Sequence, residues 1–186
     1  MMSRARIAGW GVLGVAGVLL ALNLAWIIPN CASFRPVKPG DEAPNFALPV
    51  IAADGLTQEL HGLAEHRGKV VLLDFWATWC GPCRSSMPAI ERLYQRYQDL
   101  GLVVISINTE GPDAAGAAFR MAHQLSPTVP LASDNGVVSN LYRVTTIPHM
   151  VAIDRQGVVR MVHRGFPGIE ELEAHLTRTI ENLLAE

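Results

Sequence analysis

Cys80 and Cys83 stand on either side of Gly81-Pro82, in the run Trp79-Cys80-Gly81-Pro82-Cys83. Two thiols at this spacing can close on one another as a reversible disulfide. The run follows an unbroken apolar stretch, Val70 to Trp76, and precedes a segment with helical periodicity. At such a strand-to-helix junction the first thiol occupies a helix N-terminus, where unsatisfied N–H groups and the helix dipole favour thiolate. The chemistry on offer is disulfide exchange with other proteins. Half of a zinc site is the competing reading. It would need two more ligands, and Cys31 is remote while the motif itself holds no histidine. With three cysteines in the chain and two of them here, the bridge is chemical rather than part of a structural scaffold.

Several neighbours could tune that chemistry. Asp74 is the only charge in the apolar stretch, so burial should raise its pKa and make it a candidate general base. Pro82 removes a backbone donor between the sulfurs and stiffens the turn. Trp76 is expected in the core, and Trp79 in a substrate groove. Pro88 either kinks the following helix or simply packs. Arg84 either supports the thiolate or is an ordinary surface arginine.

The elements that must hold these residues are legible as alternating patterns. Asn45–Ile51 and Leu56–Leu60 flank the turn signal Ala53-Asp54-Gly55 and predict a hairpin, followed by a short helix over Leu60–His66. Val70–Trp76 and Leu102–Ile107 read as strands buried on both faces. Ile90, Leu93, Tyr97 and Leu100 fall on one face of a helix over Pro88–Leu100. Pro112–Leu125 reads as helix, Val129–Ala132 as a short strand and Asp134–Tyr142 as a short helix. Met150–Asp154 and Val158–His163 form a hairpin, and Ile169, Leu172, Leu176, Ile180 and Leu183 line a last helix. This order predicts an α/β fold: a central mixed sheet flanked by helices, with an added N-terminal hairpin.

The chain has 186 residues, a net charge of −2 and charges of both signs interspersed, which excludes the basic footprint of a nucleic-acid binder. Its N-terminus is different in kind. After Arg4 and Arg6, residues 7–28 carry no charge, long enough for a spanning helix and longer than the apolar core of most signal peptides. The expected organisation is therefore a membrane anchor over residues 1–28, a Pro-rich linker over 29–40 and a redox domain over 41–186. A cleaved signal peptide is the alternative. So is a lipoprotein with Cys31 as acceptor, although Ile28-Pro29-Asn30 lacks the small residues such a site usually has. Arg35 and Lys38 nearly balance Arg4 and Arg6, so the positive-inside rule adds only mild support for a cytoplasmic N-terminus.

Asp74-Phe75-Trp76-Ala77-Thr78-Trp79-Cys80-Gly81-Pro82-Cys83 resembles the active-site segment of the thioredoxin superfamily. The N-terminal anchor, the added hairpin and Arg67-Gly68-Lys69-Val70-Val71-Leu72-Leu73 resemble its membrane-anchored TlpA/ResA branch. The resemblance implies Cys80 as nucleophile, Cys83 as resolving thiol and Asp74 as the buried acid that assists it. It places Pro148 in a cis-proline loop against the disulfide, with Ile147 and Trp79 meeting an extended substrate segment. Gly81-Pro82 resembles the reducing members. The branch often carries a glutamate three residues after the second cysteine, and here Ser86 stands in its place. His149 replaces a frequent threonine after the proline. It could tune the thiolate, complete a copper site with Cys80 and Cys83, or pack in the core. The other histidines, His61, His66, His123, His163 and His175, are read as solvated or structural.

The function implied is an extracytoplasmic thiol–disulfide oxidoreductase of the bacterial inner membrane, reducing protein disulfides in the periplasm. Substrates of the cytochrome c maturation or copper-site assembly type are implied. The partners are proteins with cysteine pairs and a membrane thiol donor, and no cofactor is expected beyond the redox-active pair. The alternatives are a disulfide-forming oxidant and a non-enzymatic copper chaperone using Cys80, Cys83 and His149. A peroxidase fits less well, since Thr78 lies two residues before Cys80, the wrong spacing for a peroxidatic cysteine.

Overall fold

Val70–Trp76 forms β3 with every residue buried, because helices cover the sheet on both sides of it. It is the organising strand. β4 (Leu102–Asn108) pairs with it in parallel, and β6 (His149–Ile153) pairs antiparallel on its other edge. β5 (Leu131–Ser133) extends the parallel side, and β7 (Val159–Arg164) closes the other as the expected hairpin partner of β6. The N-terminal hairpin, β1 (Ala47–Ala52) and β2 (Gly55–Gly62), adds to β5 and completes a seven-stranded mixed sheet in the order β2-β1-β5-β4-β3-β6-β7.

The computed structural model describes residues 17–19 and 35–186, and residues 36–186 form one unit. Nearly all of the expected anchor, Cys31 and the first half of the linker therefore lie outside the described residues. No helix among the described residues is long and apolar enough to cross a membrane.

Among the described residues four α-helices flank the sheet: α1 (Gly81–Tyr97), α2 (Ala115–Leu125), α3 (Val137–Leu141) and α4 (Ile169–Ala185). Strand alternation sends Val70, Leu72, Met150 and Ala152 to one face. There they pack with Ile90, Leu93 and Tyr97 of α1 and with Leu172, Leu176 and Ile180 of α4. Val71, Leu73, Phe75 and Val151 go to the other face, against Phe46, Val138 and Tyr142.

α1 begins at Gly81, directly after Cys80 as the strand-to-helix reading expects, and Pro88 lies inside it. Gly81-Pro82 suits a first turn, where the missing proline donor has no carbonyl to meet. Leu100 is not on the buried stripe but 62% exposed, because α1 ends at Tyr97 and a 3-10 turn over Gln98–Leu100 breaks the periodicity.

Candidate redox site

The site forms where β3 hands the chain to α1. Cys80 is the N-cap residue of α1, with extended backbone angles, and its Sγ accepts the Cys83 backbone N–H at 3.2 Å. The sulfur thus takes one of the donors that a helix start leaves unpaired. Cys80 and Cys83 are joined as a disulfide with Cα atoms 5.3 Å apart. Both residues are buried, Cys80 4% exposed and Cys83 1%. The bridge packs into an apolar cluster with Trp76, Ala77 and Met87, joined by Ala115 and Ala118 of α2.

Around the bridge, Gly81 is half-buried and Pro82 exposed. Trp76 is wholly buried, whereas Trp79 is 71% exposed, the most open large apolar side chain among the described residues. The Ile147–Pro148 bond is cis, Ile147 packs at the edge of the disulfide cluster and Pro148 is buried immediately before β6. Ser86, which stands where the branch often has glutamate, is fully buried and donates to the Cys83 carbonyl at 2.8 Å. A shallow cleft lined by Gly81, Arg84, Ser85, Met121, Gln124 and Leu125 opens beside the first turn of α1.

Asp74 is 1% exposed, opposite Met150 and in register with Leu72 and Trp76 on the sheet face that α1 covers. Its Oδ1 has no hydrogen-bond partner. Burial alone pushes its pKa up to about 7.

His149 goes the other way. It pairs with Phe75, so its ring shares the opposite face and meets the Phe75 ring edge-on at 5.8 Å. It is wholly buried, and neither ring nitrogen has a partner. Burial, then the nearby positive charge of Arg164 and His163, lowers its pKa to about 4. Of the three readings left open for His149, packing fits this placement. The copper alternative through Cys80, Cys83 and His149 gains no support, since no cluster of three such ligands occurs among the described residues.

One part of the site escaped sequence reasoning. Parallel pairing sets Trp76 beside Asn108, so the loop after β4 lies against the loop that carries the motif. There Glu110 accepts both the backbone N–H and the Oγ of Thr78, and Asn108 Nδ2 donates to the same carboxylate at 3.1 Å. Thr109 N and Oγ both donate to the Trp76 carbonyl. No local spacing signals this contact; only the adjacency of β3 and β4 would have suggested it.

Comparison with known proteins agrees with this geometry. Residues 39–162 match the AhpC/TSA family. The chain is 30% identical to thiol-disulfide oxidoreductase ResA of Oceanobacillus iheyensis, over 86% of this chain and 82% of that one. It is 32% identical to thioredoxin-like protein YneN of Bacillus subtilis, over 87% and 95%. Among solved structures, one from Chlorobium tepidum named thiol:disulfide interchange protein DsbE superposes with a TM-score of 0.70 at 34% identity. It covers 80% of this chain and 99% of that one.

Proposed function

The chain belongs to the AhpC/TSA family, as a thioredoxin-fold thiol–disulfide oxidoreductase, and on that premise we propose that it works as a reductant of protein disulfides outside the cytoplasm. The observation that carries the reading is the Cys80–Cys83 bridge at the N-terminus of α1. In the reduced protein, the Cys80 thiolate attacks one sulfur of a substrate disulfide. The substrate S–S bond breaks, a mixed disulfide forms, and the departing substrate thiolate takes a proton. Asp74 then accepts the Cys83 proton, a task that suits a carboxyl poised near 7. The Cys83 thiolate attacks Cys80 Sγ, the mixed disulfide breaks, and the substrate leaves with two thiols. Two electrons have moved to the substrate, and the protein is left with the Cys80–Cys83 bridge.

Exposed Trp79, with Ile147 at the edge of the disulfide cluster and Pro148 next to it in the chain, supplies the surface for an extended substrate segment. Gly81 and Pro82 set the turn between the sulfurs and tune the balance between dithiol and disulfide. Tethering by the uncharged segment over residues 7–28 would place the domain on the periplasmic side of a bacterial inner membrane. Oxidised cysteine pairs of apocytochrome c or of copper-site assembly proteins are the proposed substrates. A membrane thiol donor must then restore the dithiol, because the periplasm is kept oxidising.

The deciding experiment is the equilibrium reduction potential of Cys80–Cys83 in thiol buffers of known poise. A value near or below about −250 mV is expected of a reductant. A value above about −180 mV overturns the direction and makes this a disulfide-forming oxidant.

A further inference from the structure

Cys80 owes its place at the helix N-terminus to the three residues before it, since Ala77, Thr78 and Trp79 belong to neither β3 nor α1. Such a turn needs outside support. Its own backbone supplies one bond, from Cys80 N–H to the Ala77 carbonyl. The rest comes from the loop after β4. Glu110 takes both donors of Thr78, at 2.9 Å for the hydroxyl, so one carboxylate holds both the backbone and the side chain of a single residue. Charge-assisted bonds of this kind are about twice as strong as neutral ones. The carboxylate is itself aligned, because Asn108, wholly buried at the end of β4, donates to Glu110 Oε2 and accepts the Glu110 N–H. A rigid strand end therefore reaches across to grip the redox turn two residues before the nucleophile.

We propose that Glu110 is the positioning residue of the redox turn: by clamping Thr78 it holds Cys80 Sγ at the N-terminal amides of α1, and so sustains the thiolate that attacks substrate. The inference rests on Cys80 being the nucleophile of the exchange described above. Glu110 touches neither substrate nor sulfur and acts through Thr78.

Clamp and charge make opposite forecasts. A carboxylate acting only as a nearby negative charge would disfavour the thiolate, and removing it would raise the thiolate fraction. A clamp does the reverse, because a loosened turn lets the sulfur drift from the helix N-terminus. The other titratable groups on the elements packed around the turn are Asp74 on β3, Arg84 in the first turn of α1 with Glu91, Arg92, Tyr94, Arg96 and Tyr97 further along it, and Arg120 and His123 on α2. None of them is altered by changes at Glu110 or Thr78.

The test is the alkylation rate of Cys80 against pH, read by peptide mass on the reduced full chain, for Glu110→Gln and Thr78→Val. The end of a helix is worth about 0.3–1 kcal/mol to an adjacent charge, so the thiolate fraction at neutral pH should fall roughly two- to five-fold in Glu110→Gln. Thr78→Val keeps the carboxylate and loses one of its bonds, and should show a smaller fall in the same direction. A rise in Glu110→Gln with Thr78→Val unchanged would assign Glu110 a charge effect and overturn the clamp. No change in either variant overturns it as well. Should Glu110→Gln not fold, Thr78→Val decides alone. The titration reads Cys80 whether or not the protein reduces disulfides, so a wild-type chain inactive on protein disulfides would sink the functional reading and leave this test intact.

Discussion

The Cys83 backbone N–H points at Cys80 Sγ across 3.2 Å, so the residue proposed to resolve the exchange also supplies an amide to the sulfur proposed to begin it. Replacing the Cys83 side chain leaves that amide in place. Cys83→Ser should therefore still attack a substrate disulfide and then stall, accumulating a mixed disulfide visible on a non-reducing gel. Cys80→Ser should form none. A stalled adduct in Cys80→Ser instead would reverse the two roles.

Asp74 titrates near 3.8 when unfolded and near 7 when buried beneath α1. Between those values the native state holds a proton that the unfolded chain has released, so stability falls as pH rises through this window. The full interval corresponds to ~4 kcal/mol as an upper bound. Asp74→Asn should match wild type below about pH 4 and gain stability progressively up to about pH 7, in denaturant titrations at each pH. The same variant should resolve mixed disulfides about 10²-fold more slowly, the lower end for a lost general base, and its rate profile should lose the inflection near neutrality. A profile unchanged by the substitution would remove Asp74 from the mechanism.

The contrast between Asp74 and Glu110 shows what the sequence made legible. A lone charge in an apolar run declares itself, because β3 is covered on both faces and every position in it must be buried. The bounds of that strand were readable for the same reason, whereas the end of α1 was not, because the apolar spacing runs on to Leu100, past the turn at Gln98 that ends the helix. Glu110 sits in an ordinary turn sequence, and its partner Thr78 is 32 residues away. Only the parallel pairing of Trp76 with Asn108 joins them. His149 illustrates the same dependence. Its nearness to the disulfide in sequence terms came from the preceding proline, while strand alternation decided which face received the ring.

Trp79 precedes Cys80 and is 71% exposed, so its indole stabilises little of the fold. Trp79→Ala should change unfolding free energy by no more than about 0.5 kcal/mol. If the ring lies along a bound polypeptide, the variant should lose rate on a protein disulfide while keeping its rate on a small disulfide such as oxidised glutathione. Equal losses on both would place the indole's effect on the sulfur rather than on the substrate.

His149 gives the opposite pH signature to Asp74. Folded, it stays neutral until about pH 4; unfolded, it takes a proton near 6.5. As pH falls through that interval only the unfolded chain gains the proton, and stability declines by up to ~3 kcal/mol. Arg164, its partner across β7, and His163 add positive charge against protonation, so the native state cannot easily follow. His149→Leu removes the ionisable group and two unpartnered nitrogens from the core, and should flatten the stability curve between pH 6.5 and 4. Cu(I) titration of His149→Ala should match wild type, because the ring shares a sheet face with Phe75 rather than with Asp74 and α1. Loss of a stoichiometric copper site in that variant would restore the three-ligand reading.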